Sequence, residues 1–324
     1  MRTRVAVVVG VCVLSMVSGL FAGPLDRAKI SSEANWVAHL DVQKFNESKL
    51  AGIVREELAA AGIDKKLDEF KAIFTFHPLN DLKNITLYGR DKDKAAAVVL
   101  IQGTFDKERL DQLIQTNPYY RQKKQGAYSL HSWIDEKKNG DENERQYGGF
   151  FGKDIAVIGS SAETVARGLD VLGEKAPNAR QEGSFRGIGR LGKNAFLVAS
   201  ANGVGKMAEQ SEKTMMLKNT EQSSVTVGEA EGNLNIDVGL RATSEKTADE
   251  LHQVIQGFVA LLNLGSKEQP QLAEIASAVQ LTKRNNTVGV HFEYDVDKIA
   301  KFIKAEWQKK QAQEEAKQQE PSAK

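Results

Sequence analysis

Residues 234–242 read LNIDVGLRA, and they alternate without a break. Leu234, Ile236, Val238 and Leu240 are apolar, while Asn235, Asp237, Gly239 and Arg241 are polar or small. Side chains of a strand point to opposite faces in turn, so this stretch has one dry face and one wet face. Such a strand belongs to an antiparallel sheet. The dry face must be covered by another layer, which points to helices packed on a sheet. An all-helical chain is excluded.

The same logic organises the rest of the chain into two similar modules. In the first, WVAHLDV (36–42) alternates as a strand, and Asp41 is placed to cap a helix reaching about Ala61. Strands follow at 84–89 and 95–103, the second apolar almost throughout, as a strand buried on both faces would be. Asp106 opens another helix. A hairpin runs from Tyr120 to Ile134, and a second spans 148–159 with its turn at Gly152-Lys153-Asp154. Ser160-x-x-Glu163 reads as a capping box for the closing helix. In the second module a strand at 195–201 is followed by a helix over 204–215, then a hairpin of 224–230 with 234–242. A helix from Glu245, a hairpin turning at Asn285-Asn286 and a last helix to Trp307 complete it. Each half reads β-α-β-β-α-β-β-α. The expected fold class is α+β: two related modules, each an antiparallel sheet with helices on one face. The boundaries are 30–174 and 194–307, joined by a polar, glycine-rich linker at 175–193. Residues 308–324 (QKKQAQEEAKQQEPSAK) form a disordered polar tail that can bury nothing.

The N-terminus sets the expected address. Arg2 and Arg4 precede an uncharged run from Val5 to Phe21, and Ala22 and Gly23 follow. That pattern describes a secretory signal peptide over 1–22. Its apolar run is at the low edge of what spans a bilayer. Cys12 is the only cysteine and lies inside this run, preceded by Val11, which does not suit lipidation. The mature chain therefore has no disulfide and no thiol nucleophile. Without Arg2 and Arg4 it carries 42 basic and 43 acidic residues. A nearly neutral chain offers no electrostatic case for nucleic acid.

Motifs for chemistry are incomplete. The stretch AFLVASANGVGKMAE (195–209) imitates a phosphate loop, but Ser200 stands where the first glycine belongs and Met207 where the hydroxyl belongs. The loop 135–145 imitates a calcium site at Asp135, Asn139 and Gly140, yet Lys137 and Gln146 occupy ligand positions. His39-x-Asp41 and His291-x-Glu293 each set an imidazole and a carboxylate on one strand face, a pairing that can orient a base or bind a metal. Their neighbours on the opposite face are apolar, so both pairs are expected to face outward. Asp41 and Asp295 also sit where helices begin. His77, His131 and His252 show no partner at motif spacing. There is no Gly-x-Ser-x-Gly and no His-Glu-x-x-His. No cofactor and no metal are expected. The aromatics Trp36, Tyr119, Tyr120, Tyr128, Trp133, Phe150 and Phe151 either line a groove for an apolar ligand or pair across hairpins.

ANWVAHLDVQKF (34–45), ITLYG (85–89), VVLIQGTFDKERL (98–110) and YGGFFGKDIAVIGSSAETVARGLDVL (147–172) together resemble a family of exported bacterial proteins with repeated α+β modules. The resemblance covers about residues 34–173. It implies a periplasmic or surface address and no particular activity. The functional expectation is an exported, non-enzymatic binding or scaffold protein that associates with another protein or with itself. The alternatives are a hydrolase or metal enzyme built from His39, Asp41, His291 and Glu293, and a carrier of an apolar ligand.

Overall fold

The structure, a computed structural model, describes residues 25–91, 94–186, 188, 194–205, 217–264, 270–302 and 304–305. The expected signal peptide, the helix after residue 205, Trp307 and the polar tail fall outside these residues. Strand β1 (Trp36–Asp41) ends at Asp41, whose carboxylate accepts the Lys44 N–H at 2.7 Å and caps α1 (Val42–Asn46). The expected long helix breaks there. Ser48 caps a separate α2 (Lys49–Ala60), accepting the Ala51 N–H. An unexpected α3 (Ile63–Phe74) precedes β2 (Leu82–Gly89) and β3 (Val98–Gly103). Then come α4 (Lys107–Gln115), the hairpin β4 (Arg121–Gln125) with β5 (Tyr128–Trp133), and the hairpin β6 (Gln146–Phe151) with β7 (Ile155–Gly159). Helix α5 (Ala162–Leu172) is capped by Ser161, one residue later than expected, through the Thr164 N–H. The second half supplies β8 (Ala195–Asn202), β9 (Thr220–Ala230), β10 (Asn233–Ala242), α6 (Glu245–Leu264), α7 (Pro270–Ser277), β11 (Val279–Arg284) and β12 (Thr287–Asp295).

Helices and a large antiparallel sheet make the fold α+β. The twelve strands form one sheet in the order β11-β12-β10-β9-β8-β1-β2-β3-β7-β6-β5-β4. The halves meet where β1 pairs antiparallel with β8, from Trp36 opposite Ala201 to Leu40 opposite Leu197. One sheet per module was expected, with their arrangement left open; here the two are continuous. The first strand of each half is apolar enough to be central, and each supplies the neighbour that the other lacks.

Helices lie on both faces, which corrects the expectation of one. Leu40 and Ile85 pack with Val42, Phe45, Ala51 and Ile53 from α1 and α2. On the same side in the second half, Leu240 and Val288 pack with Ala248 and Leu251 of α6. On the opposite side Val37, Val98, Leu100 and Val157 pack with Val165 and Leu169 of α5. Strands β1 to β3 place apolar side chains in both layers, Val37, Tyr88 and Leu100 in one and Leu40, Ile85 and Ile101 in the other, so each face needs its own cover. The segment expected to be a plain linker contributes to this second layer. Ala179, Phe185 and Ile188 are buried in it, and Ser31 bridges to Asn178.

Candidate functional site

Strand register decides where the four candidate residues go. His39 is opposite Val198, Val198 opposite Thr226, Thr226 opposite Asp237, and Asp237 opposite His291. Directly paired residues share a face, so His39 and His291 lie in one row on one face. Four strand spacings separate them, roughly 19 Å at about 4.8 Å each. They do not form one site.

His39 and Asp41 do not face outward. Both are buried, because Val37 and Val198 on either side of His39 join the layer that holds Phe185 and Ile188. His39 Nδ1 lies 2.8 Å from Thr86 Oγ1 across the strand pair. Asp41 is used as the cap of α1.

His291 is half-buried on a more open part of the same face and has a partner that the sequence pattern did not name. Its Nδ1 lies 2.8 Å from Asp237 Oδ1, and its Nε2 lies 3.8 Å from Glu293 Oε2. The other Glu293 oxygen accepts from Asn233 at 2.9 Å. Thr226 Oγ1 approaches the second Asp237 oxygen at 3.5 Å. An acyl-transfer triad needs a hydroxyl on the imidazole nitrogen that faces away from the orienting carboxylate. Here the near hydroxyl is on the carboxylate side, and a second carboxylate stands on the far nitrogen. The arrangement holds an imidazole between two carboxylates, which differs from such a triad. Among the described residues no group of three His, Cys, Asp or Glu side chains is placed to hold a metal.

An open cavity of about 370 Å³ adjoins Glu293, lined also by Asn233, Glu274, Gln280, Tyr294 and Lys298. Lys298 pairs with Glu274 at 2.5 Å, and Tyr294 donates to the same carboxylate at 3.1 Å. Lys298 first and Tyr294 second hold the Glu274 carboxyl below its ordinary value. A second cavity of about 250 Å³ lies at the start of α5, among Tyr88, Arg90, Ser161, Thr164, Arg167 and Glu33. Arg167 grips Glu33 with two contacts, at 2.8 and 2.5 Å. The buried Tyr88 hydroxyl beside this cavity has no hydrogen-bond partner, and burial pushes its pKa up.

The imitated motifs resolve into structural devices. Gly205 sits in the phosphate-loop look-alike because a Cβ there would overlap the Lys218 carbonyl oxygen. Close backbone approach is the reason for glycine at that point. The calcium look-alike becomes two short turns, Glu136–Lys138 and Glu142–Glu144. Arg145, buried, ties down the second turn by donating to Glu142 at 2.7 and 2.9 Å and to the Tyr119 carbonyl at 2.9 Å. Trp36, Trp133 and Tyr119 each lie over a glycine, at Gly89, Gly148 and Gly140. Tyr128 donates to Asp170 at 2.7 Å. His131 Nε2 lies 3.2 Å from Asp111, close enough to pair but not aligned as a hydrogen bond, and His131 Nδ1 lies 3.2 Å from the Tyr120 hydroxyl. The contact ties α4 to the β4–β5 hairpin.

One other surface stands out. On α6, Val254 is 41 % exposed, Phe258 53 %, Leu261 62 % and Leu264 72 %. They lie beside and beyond Ala248, Leu251 and Ile255, which meet the core, toward the C-terminal end of the helix, with Phe258 two turns past Leu251. Among the described residues no helix is long and apolar enough to cross a membrane.

No family model matches the chain, and no curated relative matches it. Solved structures of TP0453 are similar to the chain at a low level. Crystal form III matches with a TM-score of 0.47 at 10 % identity, covering 88 % of this chain and 98 % of that one. Crystal form I matches with a TM-score of 0.45 at 10 % identity, covering 88 % and 97 %.

Proposed function

We propose that this protein is an exported, non-enzymatic binding or scaffold protein of the bacterial envelope, working by association with another protein or with itself. The observation that carries this reading is the apolar flank of α6. Val254, Phe258, Leu261 and Leu264 form a run of large exposed side chains on one helix, and contiguous exposed apolar surface marks interaction sites. The polar candidates support the same reading, since Asp41 caps a helix and His39 meets Thr86 inside the sheet. We also read the sheet as a duplication. In each half three successive strands lie side by side, and the half's last strand returns beside the third: β1-β2-β3-β7 and β8-β9-β10-β12.

The test is light scattering of the secreted mature protein, over a hundredfold range of concentration, beside the double variant Phe258→Glu, Leu261→Glu. Site-specific photo-crosslinking from position 258 in intact cells accompanies it. A concentration-dependent oligomer, or a discrete crosslinked protein, that disappears in the variant with unchanged circular dichroism is expected. A monomer at every concentration with no crosslink from position 258 would overturn the proposal. Substrate turnover that is lost in a His291→Ala variant would replace it with the hydrolase reading. Lipid that co-purifies in native mass spectra would replace it with the carrier reading.

A further inference from the structure

The cavity at the start of α5 has a polar atom at its inner end. Tyr88 is 2 % exposed, and its hydroxyl has no hydrogen-bond partner. The hydroxyl reaches beneath α5 at Gly168, where a Cβ would stand 3.5 Å from the oxygen. Arg167, the preceding residue, is a charge close enough to act on it. Tyr88, Arg167 and Gly168 all line this cavity of about 250 Å³. A phenylalanine would fill the same space without leaving a buried donor unmatched, so packing gives no reason for the oxygen.

Three segments meet around Tyr88. The Asn35 N–H donates to the Gly89 carbonyl at 3.0 Å and joins the turn before β1 to the end of β2. Thr164 Oγ1 donates to the Ala95 carbonyl at 2.5 Å and ties the first turn of α5 to the chain after β2. Ser161, Glu163 and Thr164 stand in the cavity wall, so α5 opens there. Ser161 Oγ accepts the Thr164 N–H, while the N–H groups of Ala162 and Glu163 have no carbonyl within the helix to meet. This end of a helix favours negative charge.

Four charged side chains line the cavity: Glu33, Arg90, Glu163 and Arg167. Glu33 and Arg167 satisfy each other through their paired contacts. Arg90 comes no nearer to Glu33 than 3.6 Å, and among the described residues Glu163 has no ion pair. A guanidinium, a carboxylate and a buried neutral donor are therefore left over around one space.

We propose that this cavity binds a small zwitterion of the α-amino-acid type. The ligand carboxylate accepts from the Tyr88 hydroxyl and pairs with Arg90 at the open end of α5, and the ligand ammonium donates to Glu163. The phenol is a donor here because it is protonated far above neutral pH. A multiply charged anion such as phosphate would meet Glu33 and Glu163 with no countercharge of its own. A neutral apolar ligand would leave all three groups unmatched. The volume lies below the range of about 300–1,000 Å³ that holds drug-sized molecules, which suits a ligand of amino-acid size. The site lies on α5 and β2, and nothing in it depends on α6.

Saturation-transfer NMR of the full mature chain with each common amino acid in turn tests this, followed by calorimetric titration of those that bind. Acetate, methylammonium and inorganic phosphate serve as partial probes. At least one amino acid should bind with a dissociation constant of about 1 mM or tighter, and more tightly than any partial probe. Tyr88→Phe should weaken it about tenfold or more, the weight of a hydrogen bond to a charged group. Arg90→Gln should weaken it as well, and Glu163→Gln should bring it down to the affinity of acetate. The tyrosine variant loses no existing hydrogen bond, and Arg90 is exposed, so both should keep the circular dichroism of the natural protein. Absence of amino-acid binding in that range overturns the proposal. Unchanged affinity in either of these two folded variants does so too, as does acetate or phosphate binding as tightly as the best amino acid.

Discussion

Leu40→Ala tests whether the sheet is one cooperative body. Leu40 is 4 % exposed and sits in β1, the strand at which the halves meet. It is paired with Ile85 on one side and Leu197 on the other, and it packs in the cluster that contains Phe45, Phe196 and Val296. Truncation removes three carbons of transfer energy and leaves a cavity that flat, paired strands cannot collapse to fill. Buried Leu→Ala changes cost about 2.7–5.0 kcal/mol. With a urea slope near 3 kcal/mol/M, at the upper end for small domains, the midpoint should drop by roughly 1 M or a little more. The assay is urea unfolding in a Trp307→Phe background, so that fluorescence comes from Trp36 and Trp133 in the first half while far-ultraviolet circular dichroism reports the whole chain. Both signals should move together in a single transition, because the lost contacts belong to both halves. Fluorescence that shifts while part of the circular dichroism signal keeps its original midpoint would refute the reasoning. The β1–β8 pairing would then be a weak junction between independent units.

Two further expectations follow from single side chains. Tyr88→Phe removes a buried hydroxyl that has no hydrogen-bond partner, so the melting temperature should stay level or rise; a fall of several degrees would show that the hydroxyl is satisfied. Arg145 first, and Arg121 after it, hold the Glu142 carboxyl below its ordinary value. A depressed carboxylate contributes its stability above the ordinary value and loses it as pH falls through the folded one, so amide hydrogen-exchange protection of residues 136–145, corrected for intrinsic rates, should fall below about pH 4. A Glu142→Gln variant should show little dependence of that protection on pH in the same range.

How much of this was readable in advance depends on the range of the interactions. The alternation of 234–242 depends only on neighbours in the chain, and β10 has its apolar residues on the helix side as that pattern requires. The hairpins β4–β5, β6–β7, β9–β10 and β11–β12 were likewise visible, because their turns are local and chemically marked. Asp41 and Asp106 act as caps as their positions suggested. Helix α3 went unseen for a physical reason. Its apolar stripe, Ile63, Leu67, Phe70 and Phe74, is present at helical spacing but only half-buried, and it follows α2 so closely that no Pro or polar loop marks the break; the left-handed residue that ends it is a threonine, which does not announce a stop.

The candidate site illustrates the harder limit. Whether a polar residue on a strand faces solvent depends on what covers that face, and the cover for His39 comes from residues far later in the chain, around Phe185 and Ile188. Alternation correctly separated His39 and Asp41 from the apolar neighbours, but it cannot distinguish a wet face from a face buried under a second layer. His291 shows the same limit from the other side. Its partner Asp237 lies on β10, and α6, α7 and β11 intervene before β12 returns to pair with it. Pairing register over that distance is set by the packed sheet and not by any local pattern. The spacing His-x-Glu drew attention to Glu293, which stands 3.8 Å away, whereas the closer carboxylate is the one across the strand at 2.8 Å. On a sheet the chemically relevant neighbour is the cross-strand one, because its Cβ is nearer than that of the residue two positions along. A carboxylate–imidazole pair found by sequence spacing alone is therefore weak evidence of a site. The exposed flank of α6 needs no such spacing argument, since the exposure of Val254, Phe258, Leu261 and Leu264 is read directly, and contiguous apolar surface is what an interaction site requires.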